Sequence, residues 1–136
     1  RHDTGIYSQA SSEDTYARLH ELAWAILSAG FSVVIDATYL KRAQRTAAAS
    51  MAESTGVPFV ILDCNAPDAV IELWLAQRQL EGHDPSDAIL VVVRAHQASR
   101  EGLDEGEQLV ARRVETNDAA SLDGLVGAIR QRLPGL

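Results

Sequence analysis

Asp36 is the residue whose type and position most invite chemistry. It stands near the end of the run VVIDAT, Val33–Thr38, with apolar residues on both sides. A carboxylate in such surroundings is costly unless hydrogen bonds or a cation compensate it. Three roles suit it: a ligand in a Mg²⁺ shell, a general base, or a cap for the helix that follows. Thr38 lies two residues on, which on a strand is the same face. Its hydroxyl could bond a metal-bound water or a phosphate, or it could cap that helix. Arg42 and Arg45 then open the next helical pattern. Cations at a helix start oppose the macrodipole, so helix stability does not account for them. At the C-terminal edge of a strand they could reach an anionic substrate; the competing reading is a solvated surface pair.

A second group is Arg78, Arg94 and Arg100. They flank a polar turn and a helical excursion between two strand-like runs. Arginines on a mobile excursion suit a lid closing over transferring phosphates. Pairing with the nearby Glu81, Asp84 and Glu101 is the plainer alternative. His83 and His96 read as surface histidines. The four histidines have no metal-ligand spacing, and Cys64 alone cannot build a zinc cluster. At a strand end, Cys64 reads as a small buried hydrophobe. No Gly-x-Ser-x-Gly elbow or Cys/His nucleophile signature occurs. Nor do the 136 residues hold a G-x-x-x-x-G-K-[ST] phosphate loop, since Lys41 lacks the preceding glycines.

The elements that must position these residues alternate along the chain. Ile6–Gln9 reads as a turn, and Ser11 or Ser12 as the cap of a first helix with Glu13 and Asp14 in its first turn. Tyr16, Leu19, Leu22, Ala23, Ile26 and Leu27 recur at helical spacing up to Gly30. Phe31–Thr38 is apolar on consecutive positions, the pattern of a strand buried on both faces. A helix over Lys41–Ser54 follows, then a strand over Pro58–Cys64, then a helix opened by Pro67 and running to Leu80. Asp87–Ser99 reads as helix, Arg100–Gln108 as loop, Leu109–Val114 as strand and Ser121–Leu133 as a closing helix. Strands separated by helices pair in parallel through right-handed crossovers. The expected fold is a single α/β domain, a three-layer sandwich around a parallel sheet. Ligands in such sheets sit beyond the strands' C-terminal ends, here Asp36–Lys41, Cys64–Pro67 and Glu115–Asp118.

Composition bounds the function. A 46% hydrophobic and 23% charged chain of this length is one ordinary globular domain. No apolar run approaches the roughly 18 residues of a membrane span. Twelve cations against nineteen acids give a net charge of −7, which disfavours nucleic acid or a membrane surface as partner. One cysteine allows no internal disulfide and fits the cytoplasm.

With those residues in hand, the chain resembles the C-terminal part of a P-loop kinase-like ATPase. The likeness is to bacterial AAA-type ATP-binding domains of the zeta-toxin and gluconate-kinase-like group, often fused behind an aminoglycoside-phosphotransferase-like domain. The matching stretches are Thr4–Ser8 (TGIYS), Thr15–Leu19 (TYARL), Gly30–Arg45 (GFSVVIDATYLKRAQR), Gly56–Pro67 (GVPFVILDCNAP), Leu75–Gln79 (LAQRQ) and Arg112–Asn117 (RRVETN). The resemblance implies ATP and Mg²⁺ as cofactors and a small hydroxyl compound as phosphoryl acceptor. It implies that Asp36 occupies a Walker-B-like position and that Arg45 faces the acceptor or phosphate side. Arg78 would start the lid, Arg94 or Arg100 would be lid arginines, and Thr116-Asn117 would lie near the adenine. It also implies that the first strand and the phosphate loop lie upstream of Arg1. That strand would sit between Phe31–Thr38 and Pro58–Cys64, so these two should not pair directly. The alternative is a non-catalytic α/β binding or regulatory module. A receiver-like domain ranks below both, because it needs acids at several strand ends and only Asp36 stands at one.

Overall fold

A computed structural model of the chain describes residues 5–81, 95 and 97–132. The chain divides into two compact units, Arg1–Phe59 and Val60–Leu136.

The first unit is helical. Helix α1 spans Gly5–Ser28 and α2 spans Arg42–Thr55, and the two lie against each other. The expected turn at Ile6–Gln9 and the serine cap are overturned, because α1 runs through both. Nothing in Ser11-Ser12-Glu13-Asp14 breaks a helix, and Thr15 Oγ1 donates back to the Ser11 carbonyl one turn earlier. Small side chains allow close packing: Ala23 of α1 is buried, as are Ala48 and Ala52 of α2, four apart on one face. Gly56 ends α2 in the left-handed region at φ 71°, and the Val57 amide closes on the Ala52 carbonyl at 3.0 Å.

Between the helices the expected strand is not formed. Residues 31–40 are irregular, with a bend at Ala37. No backbone–backbone hydrogen bond involves residues 32–38 among the described residues. Phe31 is 68% exposed and Val34 88%. The physical reason is that a strand is a pairing and not a local conformation. A β-branched apolar run without a ladder partner has nothing to hold it.

The second unit carries a parallel pair. Strand β1, Ile61–Asn65, pairs with β2, Ala111–Glu115, in register Ile61↔Ala111 through Asn65↔Glu115. The parallel pairing expected from the sequence is present, in a sheet of two strands among the described residues. Helix α3, Asp68–Leu80, follows β1 as expected. The loop expected over Arg100–Gln108 gives way to helix α4, Glu105–Val110. Its start is a reciprocal cap: the Glu107 amide donates to Asp104 Oδ1 at 2.8 Å, and the Asp104 amide donates to Glu107 Oε1 at 3.0 Å. The helix takes up Leu109 and Val110, so β2 begins at Ala111 and not Leu109. Helix α5, Ala119–Arg132, packs on β2. Val114, the largest fully buried side chain among the described residues, anchors this unit. Cys64 is exposed, against the expectation of a buried one. It alternates with Asp63 along a strand whose faces are not both covered. The segment 82–94 and His96 lie outside the described residues, and with them Arg94, His83 and most of the helix expected over Asp87–Ser99.

Candidate functional site

The first unit gathers its polar chemistry where the irregular segment meets α2. Asp36 and Thr38 are exposed here. Tyr39 follows with φ 45°, a left-handed conformation that non-glycine residues rarely adopt. Its surroundings over-determine it. The Tyr39 amide donates to Tyr16 Oη at 2.9 Å. Its carbonyl accepts from Arg45 Nη1 at 2.8 Å. Its phenol oxygen lies 2.9 Å from His20 Nε2. The Tyr16 ring meets it edge-on, with centroids 4.9 Å apart. The Tyr16 hydroxyl also lies 3.1 Å from Thr38 Oγ1. A residue strained by a kilocalorie or more persists only when contacts of this kind fix it, and such residues gather at functional sites.

Burial shifts two of these groups. Desolvation, helped by the Tyr16 phenol, pushes the Tyr39 phenol up to about 12. Desolvation holds His20 below its ordinary value. The Tyr39 phenol is therefore a hydroxyl and His20 a neutral acceptor near neutral pH, which fits a Tyr39 O–H donating to His20 Nε2.

Arg45 has a definite task. It is only 4% exposed, and its Nη1 also reaches the Leu40 carbonyl at 3.4 Å. One guanidinium nitrogen thus reaches two consecutive carbonyls at the turn. Arg42, three residues earlier, is exposed on the first turn of α2. The sequence pointed to Asp36, Thr38 and Arg45 but missed Tyr16 and His20. Tyr16 read only as a member of an apolar helical stripe, and His20 was not singled out. A Tyr and a His one turn apart on such a stripe are the signal that could have marked them.

In the second unit, Asp63 on β1 forms an ion pair with Arg100, Oδ1 to Nη2 at 2.8 Å. With both side chains partly exposed, this contributes about 1 kcal/mol or less. The pair borders an open hollow of about 400 Å³ lined by Asp63, Arg100, Leu103, Gln108, Ala111 and Arg113. Arg113 turns to Glu115 at 2.8 Å. Past the strand ends, the Thr116 amide and hydroxyl both donate to the Asn65 carbonyl, at 2.8 and 3.1 Å. Asn117 is exposed beside it, and Arg78 is exposed on the last turn of α3.

A family model described as an AAA domain matches residues 1–103. The chain belongs to the AAA-domain family. No curated protein and no solved structure matches it. At the level of the family, this is a P-loop NTPase-type chain whose chemistry is nucleotide binding of the ATPase or kinase kind. No helix among the described residues is long and apolar enough to cross a membrane.

The family uses nucleotide and Mg²⁺ in general. Among the described residues no group of three His, Cys, Asp or Glu is placed to hold a metal ion. That still suits Mg²⁺, which keeps most of its waters and takes one or two carboxylates plus phosphate oxygens. Asp36 fits as one such carboxylate, and Thr38 as a hydroxyl beside it. The residues that would cradle phosphates through backbone amides are not in the sequence, which has no glycine-rich phosphate loop.

Proposed function

We propose that this chain forms most of a Mg·ATP-dependent phosphotransferase domain of the zeta-toxin and gluconate-kinase-like kind, acting on a small hydroxyl compound in the cytoplasm. The observation that carries the reading is the segment Phe31–Thr38. It is apolar and β-branched, it has no ladder among the described residues, and it ends in Asp36 and Thr38 against a strained, fully braced turn. A strand that bears the phosphate loop and pairs with this segment would complete a parallel sheet, and so the three-layer sandwich. It would also bring phosphates to the segment's C-terminal end.

Mg·ATP, when bound, supplies the phosphoryl group and neutralises its charge. Transfer of its γ-phosphoryl group to an acceptor hydroxyl would release ADP, and the protein's part would be positioning and charge neutralisation. The acceptor's proton goes to a base. Asp36 serves either as that base or as a carboxylate toward the metal. Thr38 offers its hydroxyl to a phosphate oxygen, and exposed Arg42 offers charge to the anionic substrate. Arg45 holds the turn rather than the substrate. From the family likeness, Arg78, Arg94 and Arg100 belong to a lid, and Thr116 and Asn117 lie toward the adenine. The −7 charge favours a small acceptor over a nucleic-acid end.

A second reading has one observation in its favour. The 136 residues carry no phosphate loop, which suits a non-catalytic binding or regulatory module. The reading frame ahead of Arg1 and a melt separate the two. A G-x-x-x-x-G-K-[ST] within about 60 codons upstream is expected. The full-length product should then melt higher by the equivalent of about 2.7 kcal/mol at a hundredfold excess of Mg·ATP over its dissociation constant. A start codon close to Arg1, with no shift by Mg·ATP, overturns the kinase reading and supports the module.

A further inference from the structure

We infer that Tyr16 is a positioning residue that fixes the turn at Tyr39 and aims the Thr38 hydroxyl outward as a donor to a phosphoryl oxygen. The inference rests on the phosphotransferase reading above and assigns a task to a residue on α1, outside the segment that carries Asp36.

The argument is one of hydrogen counting. A phenol has one hydrogen to give and lone pairs to receive. Tyr16 Oη already receives the Tyr39 amide at 2.9 Å and lies 3.1 Å from Thr38 Oγ1. Two arrangements are possible. In one, Thr38 gives its only hydrogen inward, and the half-buried Tyr16 hydroxyl is left without an acceptor among the described residues. In the other, Tyr16 gives its hydrogen to Thr38 Oγ1, and the hydrogen of the exposed Thr38 hydroxyl is free to point out. The second satisfies both hydroxyls within the protein, whereas the first leaves the Tyr16 hydrogen to solvent. A hydroxyl that accepts one bond and donates the next is also the better donor, because the chain polarises it.

The same phenol oxygen holds the left-handed Tyr39 by its amide, while Arg45 holds it by its carbonyl. Thr38 therefore cannot drift from its place without breaking contacts on both sides of the next peptide. His20 and the edge-on ring stack close the remaining freedom of Tyr39. The ligand this suits is an oxygen acceptor bearing negative charge, for which a preset hydroxyl donor costs little reorganisation.

The test uses the full-length product of the reading frame in five forms: wild type, Tyr16→Phe, Thr38→Val, the double variant and Thr38→Ser. Two readouts are needed: Mg·ATP affinity by calorimetry and amide exchange at Tyr39. Tyr16→Phe should speed exchange at Tyr39 and weaken Mg·ATP several-fold. Thr38→Val should weaken it about tenfold, a loss typical of a donor to a charged oxygen. Thr38→Ser should restore wild-type affinity, and the double variant should bind no worse than Thr38→Val. Faster exchange in Tyr16→Phe with unchanged affinity makes Tyr16 merely structural and overturns the inference, while the phosphotransferase reading stands. Additive losses in the double variant overturn it too. A wild type that does not bind Mg·ATP sinks the phosphotransferase reading and this inference together. Should Tyr16→Phe fail to fold, the Thr38→Val and Thr38→Ser pair decides, and equal affinities overturn the inference.

Discussion

Replacing Arg45 by Met isolates what a buried guanidinium contributes to the turn. Arg45 is 4% exposed, and its Nη1 reaches the Tyr39 carbonyl at 2.8 Å and the Leu40 carbonyl at 3.4 Å. A hydrogen bond from a charged donor contributes about 1.5–3 kcal/mol, and the longer contact adds little. Met keeps a similar length and flexibility, so the cavity cost is small. Removing the desolvation of a buried charge offsets part of the loss. The net is about 2 kcal/mol, or a melting point lower by about 8 °C for a chain of this size. Thermal unfolding by circular dichroism, with urea unfolding beside it, measures this. The urea midpoint should fall with its slope unchanged, since the surface exposed on unfolding is the same. Arg42→Met, three residues earlier and exposed, is the control and should stay within about 0.5 kcal/mol of wild type. If Arg45→Met melts within about 2 °C of wild type, or no lower than the Arg42 control, the carbonyl contacts do not hold the turn and the reasoning fails.

Two further outcomes follow from backbone and titration chemistry. Gly56→Ala should cost about 1–2 kcal/mol in the same melts, because φ 71° is left-handed while the added Cβ meets nothing within 4 Å; an unchanged midpoint would mean that α2 does not end there in solution. The Tyr39 phenol, raised to about 12, keeps its proton in the fold beyond the pH where the unfolded chain loses it. Its stabilisation is therefore whole below pH 10 and lost as pH rises through 10 toward 12. Ultraviolet titration of wild type against Tyr39→Phe should remove a step near 12, and removal of a step near 10 would refute the buried phenol.

Much of the architecture was legible because it is local. α1 follows from apolar spacing, α2, α3 and α5 occur close to their expected ranges, and the Pro67 start and Gly56 stop are side-chain and backbone rules that act within a turn. The β1 run was legible too, shifted toward its C-terminal end. The segment Phe31–Thr38 was not, because a strand needs its neighbours and sequence alone reports only its willingness to pair. The α4 helix hid behind acidic, glycine-containing residues, although Asp104 and Glu107 stand at the capping-box spacing. Within the site, Asp36 and Thr38 could be picked out by position. Arg45 could be noticed, but its direction could not be read, since turning inward to carbonyls or outward to an anion depends on the unusual φ of Tyr39. The Tyr16 and His20 contacts span 23 and 19 residues, a separation no local pattern encodes.

The burial pattern bears on how the molecule breathes. Among the described residues the buried apolar side chains are Ala23, Ala48, Ala52 and Val114. Each buries only a few carbons, at about 0.8 kcal/mol per buried methylene. Amide exchange is slowest where opening must expose a large apolar cluster, and neither unit has one among these residues. Local and global opening should then have similar free energies, leaving a shallow spread of protection with no sharply slow nucleus. The exceptions to look for lie at the Tyr39 amide and along the β1–β2 ladder, where hydrogen bonds and not hydrocarbon set the barrier. A molecule held this way responds strongly to any segment that adds apolar cover, because a few kilocalories from a new contact are a large fraction of its whole stability.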